Sequence, residues 1–225
     1  MDAPNEIEQV IAALDPILLT AHSDGGRLPP ERAMAEMLGV SRRRLRTALD
    51  HLQYRGRIFR RHGQGTFVTP PPHPGKTRSR LLAGRVTFAE LMEVRLQIEP
   101  RMAELAATQR SAEDLAQLAV LTEHTRRTQS PDDYDLADEV FHYRIAELAD
   151  NALFLEIYDL VRQLRGEARW RERRVETHVP SARHVLGEQH QRIFDAIALG
   201  DRAMAGEAVR IHLRHVAAII ETVPS

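Results

Sequence analysis

The chain has 225 residues, enough for one large domain or two modest ones that each bury a core. Hydrophobic residues make up 43% of it, and no run approaches the roughly 20 consecutive apolar residues of a membrane span, so no membrane partner is expected. There are no cysteines, which excludes disulfides, thiolate zinc sites and cysteine nucleophiles. Any metal site must then be built from His and carboxylates. The same absence fits a reducing cytoplasm, where we place the protein. The opening MDAPNEIEQV has neither a basic stretch nor an apolar one, so no signal peptide is read there.

The net charge of −1 conceals an asymmetry. From Arg27 to Thr69 there are ten Arg against Glu31, Glu36 and Asp50, whereas from Leu81 onwards 24 acidic residues outnumber 18 basic ones. A basic segment followed by an acidic one suggests one surface for a polyanion and a second surface with another task. The prolines between Thr69 and Gly75 cannot continue a helix or a sheet ladder. They divide the chain into a first domain over 1–69, a Pro-rich linker over 70–80 and a second domain over 81–225.

Val10 to Ala21 reads as a helix that Pro16 either kinks or opens, with Asp15 as its cap. A second helix starts near Pro30 and runs to Leu38, and Gly39-Val40 makes a tight turn. Ser41 is a good N-cap for a third helix, in which Leu45, Ala48, Leu49 and Leu52 recur at helical spacing. Gly56 ends it. Arg57 to Arg61 and Gly65 to Thr69 read as two short strands around a turn beginning at His62. Helix, turn, helix, hairpin is the order of a winged helix-turn-helix.

Arg42, Arg43, Arg44 and Arg46 crowd the first turns of the third helix, the part of a recognition helix that enters the major groove. Arg32 on the helix before it, and Arg60, Arg61 and His62 in the wing, are placed to clamp phosphates or reach the minor groove. A solvated basic face is the alternative; the apolar residues on the opposite side favour the DNA reading.

The residues from Leu28 to Arg32, Leu38 to Arg42, Leu45-Arg46, Ala48-Leu49, Leu52, Gly56 and His62 to Val68 together resemble the winged helix of GntR-type regulators. The resemblance implies that Arg32, Arg42 and Arg46 contact DNA and that His62 and Gly63 are wing-tip contacts. Arg43 and Arg44 depart from the pattern, where small hydroxyl, Pro or Val residues are usual, and their charge favours non-specific phosphate binding.

The second domain reads as helices throughout. Thr87 to Glu90 is a capping box opening a helix that carries Leu91, Val94, Leu96 and Ile98 towards Ala107. Further helices are predicted over Ser111 to Gln129, Asp133 to Ala149, Ala152 to Arg174, Ala182 to Leu199 and Asp201 to Thr222. Asn151 reads as a helix start, and Pro180 as a break in the loop before the last pair. Gly200-Asp201 supplies a C-cap followed at once by an N-cap, so the last two helices should be antiparallel. The stretch from Arg162 to Arg174 reads as a solvated or inter-subunit face.

Four residues of this domain could share a metal ion. Asp138 and His142, at i and i+4, project from one helix face. From His190 the chain descends nine residues, about 14 Å, to the Gly200 turn, then climbs eleven from Asp201, about 16 Å, to His212. The two imidazoles should therefore stand at nearly one height. Three His and one Asp suit Zn²⁺, Ni²⁺ or Mn²⁺, Zn²⁺ foremost. Eleven His occur in the chain, and an arbitrary pair on adjacent helices is more often surface or satisfied core; that alternative stands beside the metal reading.

Arg95 to Glu99, Asp138 to His142, Asp150-Asn151, Glu188 to His190, Ala196-Ile197, Gly200-Asp201 and His212-Leu213 resemble the FCD effector domain of the FadR-like GntR subgroup. The resemblance implies a six- or seven-helix bundle in which Asp138, His142, His190 and His212 hold a metal that helps bind a carboxylate effector. It places Arg95 at an arginine that can face that pocket, with a structural salt bridge to Glu99 as the alternative. The expected protein is mainly α, not an enzyme: a homodimeric regulator, acting as a repressor, that binds a short inverted-repeat operator and answers to a small organic acid. The competing reading is a metal-dependent hydrolase or lyase, in which the His/Asp site activates water.

Overall fold

The structure, a computed structural model, describes residues 3–23, 26–61, 65–68, 82–128, 130–166 and 180–221. The chain divides into two compact units, 1–71 and 72–225. The linker proposed over 70–80 lies outside the described residues.

The first unit holds α1 (Ala3–Ser23), α2 (Glu31–Leu38), α3 (Arg42–Tyr54), β1 (Phe59–Arg61) and β2 (Gly65–Phe67). Helix α1 begins seven residues before the predicted Val10 and passes through Pro16 without ending. Proline removes one N–H from the ladder, but Val10, Ile11, Leu14, Leu18 and Ala21 bury one continuous stripe on both sides of it, and that burial carries the helix through. Pro30 is the N-cap of α2, one residue before its first turn. Gly39 takes the left-handed φ of 64° that a side chain would resist, and Val40 N–H then closes onto Ala35 O. Ser41 caps α3, its Oγ accepting from Arg44 N–H at 3.3 Å. Leu45, Ala48, Leu49 and Leu52 are fully buried beneath α1 and α2, which leaves the arginine face of α3 outward.

The wing strands are shorter than the sequence suggests. Arg57 N–H bonds back to Leu52 O and so belongs to the end of α3, while Val68 N–H turns to Gly26 O. What remains is antiparallel, with Phe59 opposite Phe67, Arg60 opposite Thr66 and Arg61 opposite Gly65. The other edge of β2 is covered as well, by Leu28 N–H on Thr66 O and a bridge between Arg27 and Phe67.

Among the described residues the second unit has six helices: α4 (Phe88–Ala106), α5 (Ala112–Arg127), α6 (Pro131–Leu148), α7 (Ala152–Arg165), α8 (Pro180–Leu199) and α9 (Arg202–Glu221). The Thr87–Glu90 capping box is present, and a second one, Ser111–Asp114, opens α5. Ser130 caps α6 with Pro131 at its first position, so that helix starts two residues earlier than read. Pro180 is likewise the first residue of α8 and not a loop breaker, because a first-turn N–H has no intrahelical partner to lose. Asn151 caps α7 through Leu153 N–H and Phe154 N–H. At Gly200 (φ 77°) an added Cβ would lie 2.6 Å from Arg110 Nη2, a group that donates to Ala198 O. Asp201 then accepts from Met204 N–H, and α9 runs back along α8. Helix α4 packs against α6, α7, α8 and α9, and the polar site forms around it.

Candidate metal centre and nucleic-acid interface

Asp138 and His142 on α6, His190 on α8 and His212 on α9 are all buried, and one ligand atom from each lies within 4.8 Å of the others. Asp138 Oδ1 is 3.2 Å from His190 Nε2, 3.6 Å from His142 Nε2 and 3.9 Å from His212 Nε2. The Nε2 atoms of His142 and His212 are 3.2 Å apart. Four donors bonded at about 2.0–2.2 Å to one divalent ion sit roughly 3–3.5 Å from one another, so the arrangement is close to that of a metal centre.

The tautomers make the fit more specific. His142 Nδ1 is 3.1 Å from Glu99 Oε2, and an ionised carboxylate can only accept, so Nδ1 carries the proton. The Gln189 amide donates from Nε2 to His215 Nδ1 at 2.8 Å, and its Oε1 accepts from His212 Nδ1 at 3.2 Å. The neutral His212 ring therefore turns a bare Nε2 lone pair towards His142 Nε2 and Asp138, and His142 Nε2 becomes a second ligand atom when it carries no proton. His190 is fully buried, and among the described residues neither of its ring nitrogens makes an aligned hydrogen bond. Burial lowers the pKa of His190 against the pull of Asp138, and holds His212 well below the usual range with help from His190 and His142. These two rings stay neutral and able to ligate.

Charges around the cluster hold it in place. Arg165 Nη2 donates to Asp138 Oδ2 at 2.5 Å; burial would raise the Asp138 pKa, but Arg165 first and the imidazoles after it keep it well below the usual carboxylate range. Arg95 donates from Nε to Glu99 Oε1 at 2.5 Å and from Nη2 to Glu99 Oε2 at 3.4 Å, while among the described residues its Nη1 has only Met92 Sδ, at 3.7 Å. Burial pushes Glu99 up, but Arg95 together with the hydrogen bond from His142 brings it down to about 2. Arg95 thus takes the salt-bridge alternative in this structure. The Tyr158 hydroxyl, fully buried and within the field of Glu99, has no hydrogen-bond partner among the described residues, and burial raises its pKa.

Sequence reasoning missed Arg165, Gln189 and Tyr158, and gave Glu99 only as a partner for Arg95. It also misread the start of its supposed arginine face. Arg162 is buried against Glu139 and Asp159 and lies over the Tyr143 ring, and Arg165 reaches Asp138. The signal was available: Arg162 and Arg165 fall four and seven residues after Tyr158, on the stripe that buries Val161 and Leu164. Residues 167–174 lie outside the described residues.

In the first unit, Arg32, Arg42, Arg43, Arg44 and Arg46 are all exposed, as is Ser41. Arg32 and Arg42 border an open groove of about 580 Å³ that is also lined by Ala35, Glu36, Gly39 and Val40. Most of these cations are engaged: Arg32 with Glu36 at 3.0 Å, Arg44 with Glu6 at 3.0 Å and Arg46 with Glu31 at 2.8 Å. Arg60, proposed as a phosphate clamp, instead binds Asp50 at 2.5 Å beside Glu31. Among the described residues Arg42 and Arg43 make no ion pair. His62 and Gly63 lie outside the described residues.

A winged helix-turn-helix followed by a helical unit with a buried ligand-type cluster is the build of a DNA-binding regulator with a second, helical domain. A family model described as "Bacterial regulatory proteins, gntR family" matches residues 6–68, and the FCD domain model matches residues 90–215. The chain belongs to the GntR family of bacterial transcriptional regulators and carries an FCD domain. It is 31% identical over 215 residues to the Uxu operon transcriptional regulator of Escherichia coli K12, covering 90% of this chain and 81% of that one. It is 33% identical over 206 residues to a regulatory protein assigned to the L-lactate dehydrogenase operon of the same organism, covering 85% and 77%. Among solved structures, Escherichia coli McbR/YncC has a TM-score of 0.52 at 19% identity, covering 96% of this chain and 97% of that one, a likeness of fold. The two operon relatives are regulators and not enzymes, which removes the hydrolase or lyase reading. Among the described residues no helix is long and apolar enough to cross a membrane.

Proposed function

We propose that this regulator is a cytoplasmic homodimeric repressor whose DNA affinity is set by a small carboxylic acid bound at a divalent metal held by Asp138, His142, His190 and His212. The observation that carries the reading is the convergence of one carboxylate and three imidazoles, with the Nε2 atoms of His142 and His212 facing each other at 3.2 Å. Three His and one Asp favour Zn²⁺, with Ni²⁺ or Mn²⁺ as alternatives. Such an ion supplies Lewis acidity and open coordination positions for an acid's oxygens. Arg95 orients the acid: its Nη1 keeps a donor that Glu99 does not use, and a guanidinium pairs naturally with a carboxylate. The operon names of two relatives, Uxu and L-lactate dehydrogenase, support control by a small metabolite.

In the dimer, two copies of α3 related by a twofold axis read a short inverted repeat. Arg32, Ser41, Arg42, Arg43, Arg44 and Arg46 make the contacts described by this reading, with His62 and Gly63 at the wing tip. The test is a thermal-shift screen of small carboxylic acids with and without chelator, on the natural protein and on His190→Ala, followed by operator binding with the acid that responds. An acid that raises Tm only when metal and His190 are present, and that weakens operator binding, is the expected result. If no acid acts and chelation leaves Tm unchanged, the sensor reading fails.

A further inference from the structure

Glu31 is the first residue of α2, where the helix N-terminus favours a carboxylate, and its side chain lies between arginines of two other elements. Oε2 accepts from Arg46 Nε at 2.8 Å, and Oε1 lies 3.9 Å from Arg60 Nη2. Arg60 Nη1 in turn donates to Asp50 Oδ1 at 2.5 Å. Four charges thus join the start of α2, the outward face of α3 and the first wing strand. Ion pairs as exposed as that of Arg46 add little to folding stability, so stability is a poor account of this arrangement.

Guanidinium stereochemistry gives a better one. Arginine offers five N–H donors, and with Nε–H committed to Glu31 the donors of the two terminal amino groups remain for another acceptor. That end-on pair matches the O6 and N7 acceptors of guanine in the major groove. A buttressed side chain also has fewer conformations to lose on engaging a base, and is less free to swing onto a phosphate.

We propose that Glu31 is a specificity-determining positioning residue, which holds Arg46 by its Nε so that the terminal amino groups read one guanine in each half-site. The proposal rests on Arg46 being a base contact. It treats Glu31 as acting through Arg46 and not as touching DNA.

The test uses the full chain. Selection from a random duplex library defines the preferred site, and affinities for that site and for an unrelated duplex are then measured across a salt series. The proteins are the natural chain, Glu31→Ala, Glu31→Gln, Arg46→Ala and the Glu31→Ala/Arg46→Ala double variant. Arg46→Ala is expected to relax the preference at one base pair per half-site. Glu31→Ala should relax the same base pair, lowering the ratio of specific to non-specific affinity by about five- to tenfold while non-specific affinity holds or rises. Glu31→Gln, whose amide oxygen can still accept from Nε, should fall between. In the Arg46→Ala background the Glu31 change should alter the ratio less than about twofold.

The proposal is overturned by an equal change in both affinities with Glu31→Ala, or by a loss of specificity that persists when Arg46 is already absent. If Arg46→Ala itself leaves the preferred site intact, the base-reading role of Arg46 fails and the proposal with it. If Arg46→Ala relaxes the site and Glu31→Ala does not, Arg46 keeps its role and only the Glu31 assignment is lost.

Discussion

Glu99 and His142 stand on different helices, yet the Glu99 carboxylate lies 3.1 Å from the Nδ1 side of the imidazole whose Nε2 faces the ligand cluster. The contact fixes the ring's orientation and tautomer together, and Arg95 fixes the carboxylate in turn. A carboxylate behind a ligating His raises the basicity of that His and holds it in place.

Replacing Glu99 by Gln should therefore weaken metal binding by about 10- to 100-fold, measured by competition with a chromogenic chelator. The amide keeps the volume and one acceptor oxygen but loses the charge that Arg95 and His142 share. The chelated variant should also melt lower, because Arg95 would be left buried beside a neutral partner, and breaking a buried pair costs about 3–5 kcal/mol. Affinity within twofold of the natural chain would show that Glu99 serves Arg95 alone.

The metal-free protein should lose stability as pH falls from about 6.5 towards 5. Burial lowers the folded pKa of both His190 and His212 from an ordinary value of 6.5. Below that value the unfolded chain takes up protons that the native rings refuse, so the unfolded state gains. Asp138 and Glu99, also lowered, add their own loss only below about pH 4.5, where their unfolded carboxyls protonate. Urea midpoints of chelated protein between pH 7.5 and 5 separate the two effects. A flat profile over that range would mean that the buried rings do not resist protonation.

Arg43 should serve affinity and not sequence preference. It is exposed and makes no ion pair among the described residues, whereas Arg46 is held by Glu31. Arg43→Ser should weaken specific and non-specific DNA binding alike and reduce the slope of log K against log salt by about one. A change confined to one base pair of the preferred site would instead make Arg43 a reader.

The legible parts of the fold were those in which one local rule governs one element. Ser41, Thr87 and Asn151 announce helices through a single side chain, and all three caps are present. His190 and His212 could be brought level by counting helix rise from a two-residue turn. Pro180 misled, because position matters more than identity: it opens α8, whereas Pro16 lies inside α1 and does not open it, which leaves the first of its two alternatives. The charged surroundings of the cluster stayed hidden for another reason. Arg165 is 27 residues from Asp138, and only the packing of α7 against α6 brings them together. Its place on the apolar stripe of α7 marks Arg165 as buried, but does not say which distant carboxylate it meets.

Tyr158 offers the sharpest test of the polar region. Its hydroxyl is buried without a hydrogen bond among the described residues, and its ring lies 6.4 Å from that of Tyr143. A buried hydroxyl that has left water and gained no partner costs about 1–3 kcal/mol, while the ring itself is stabilised by burial. Tyr158→Phe removes the oxygen and keeps the ring, so the effector-free protein should be as stable as the natural chain or more so, by up to about 1 kcal/mol, in urea denaturation. A loss of 1 kcal/mol or more would mean that an ordered water or a bound molecule satisfies the hydroxyl in solution. Repeating the measurement with a saturating acid that raises Tm then separates those two: a bound molecule makes the penalty grow with ligand, and a resident water leaves it constant.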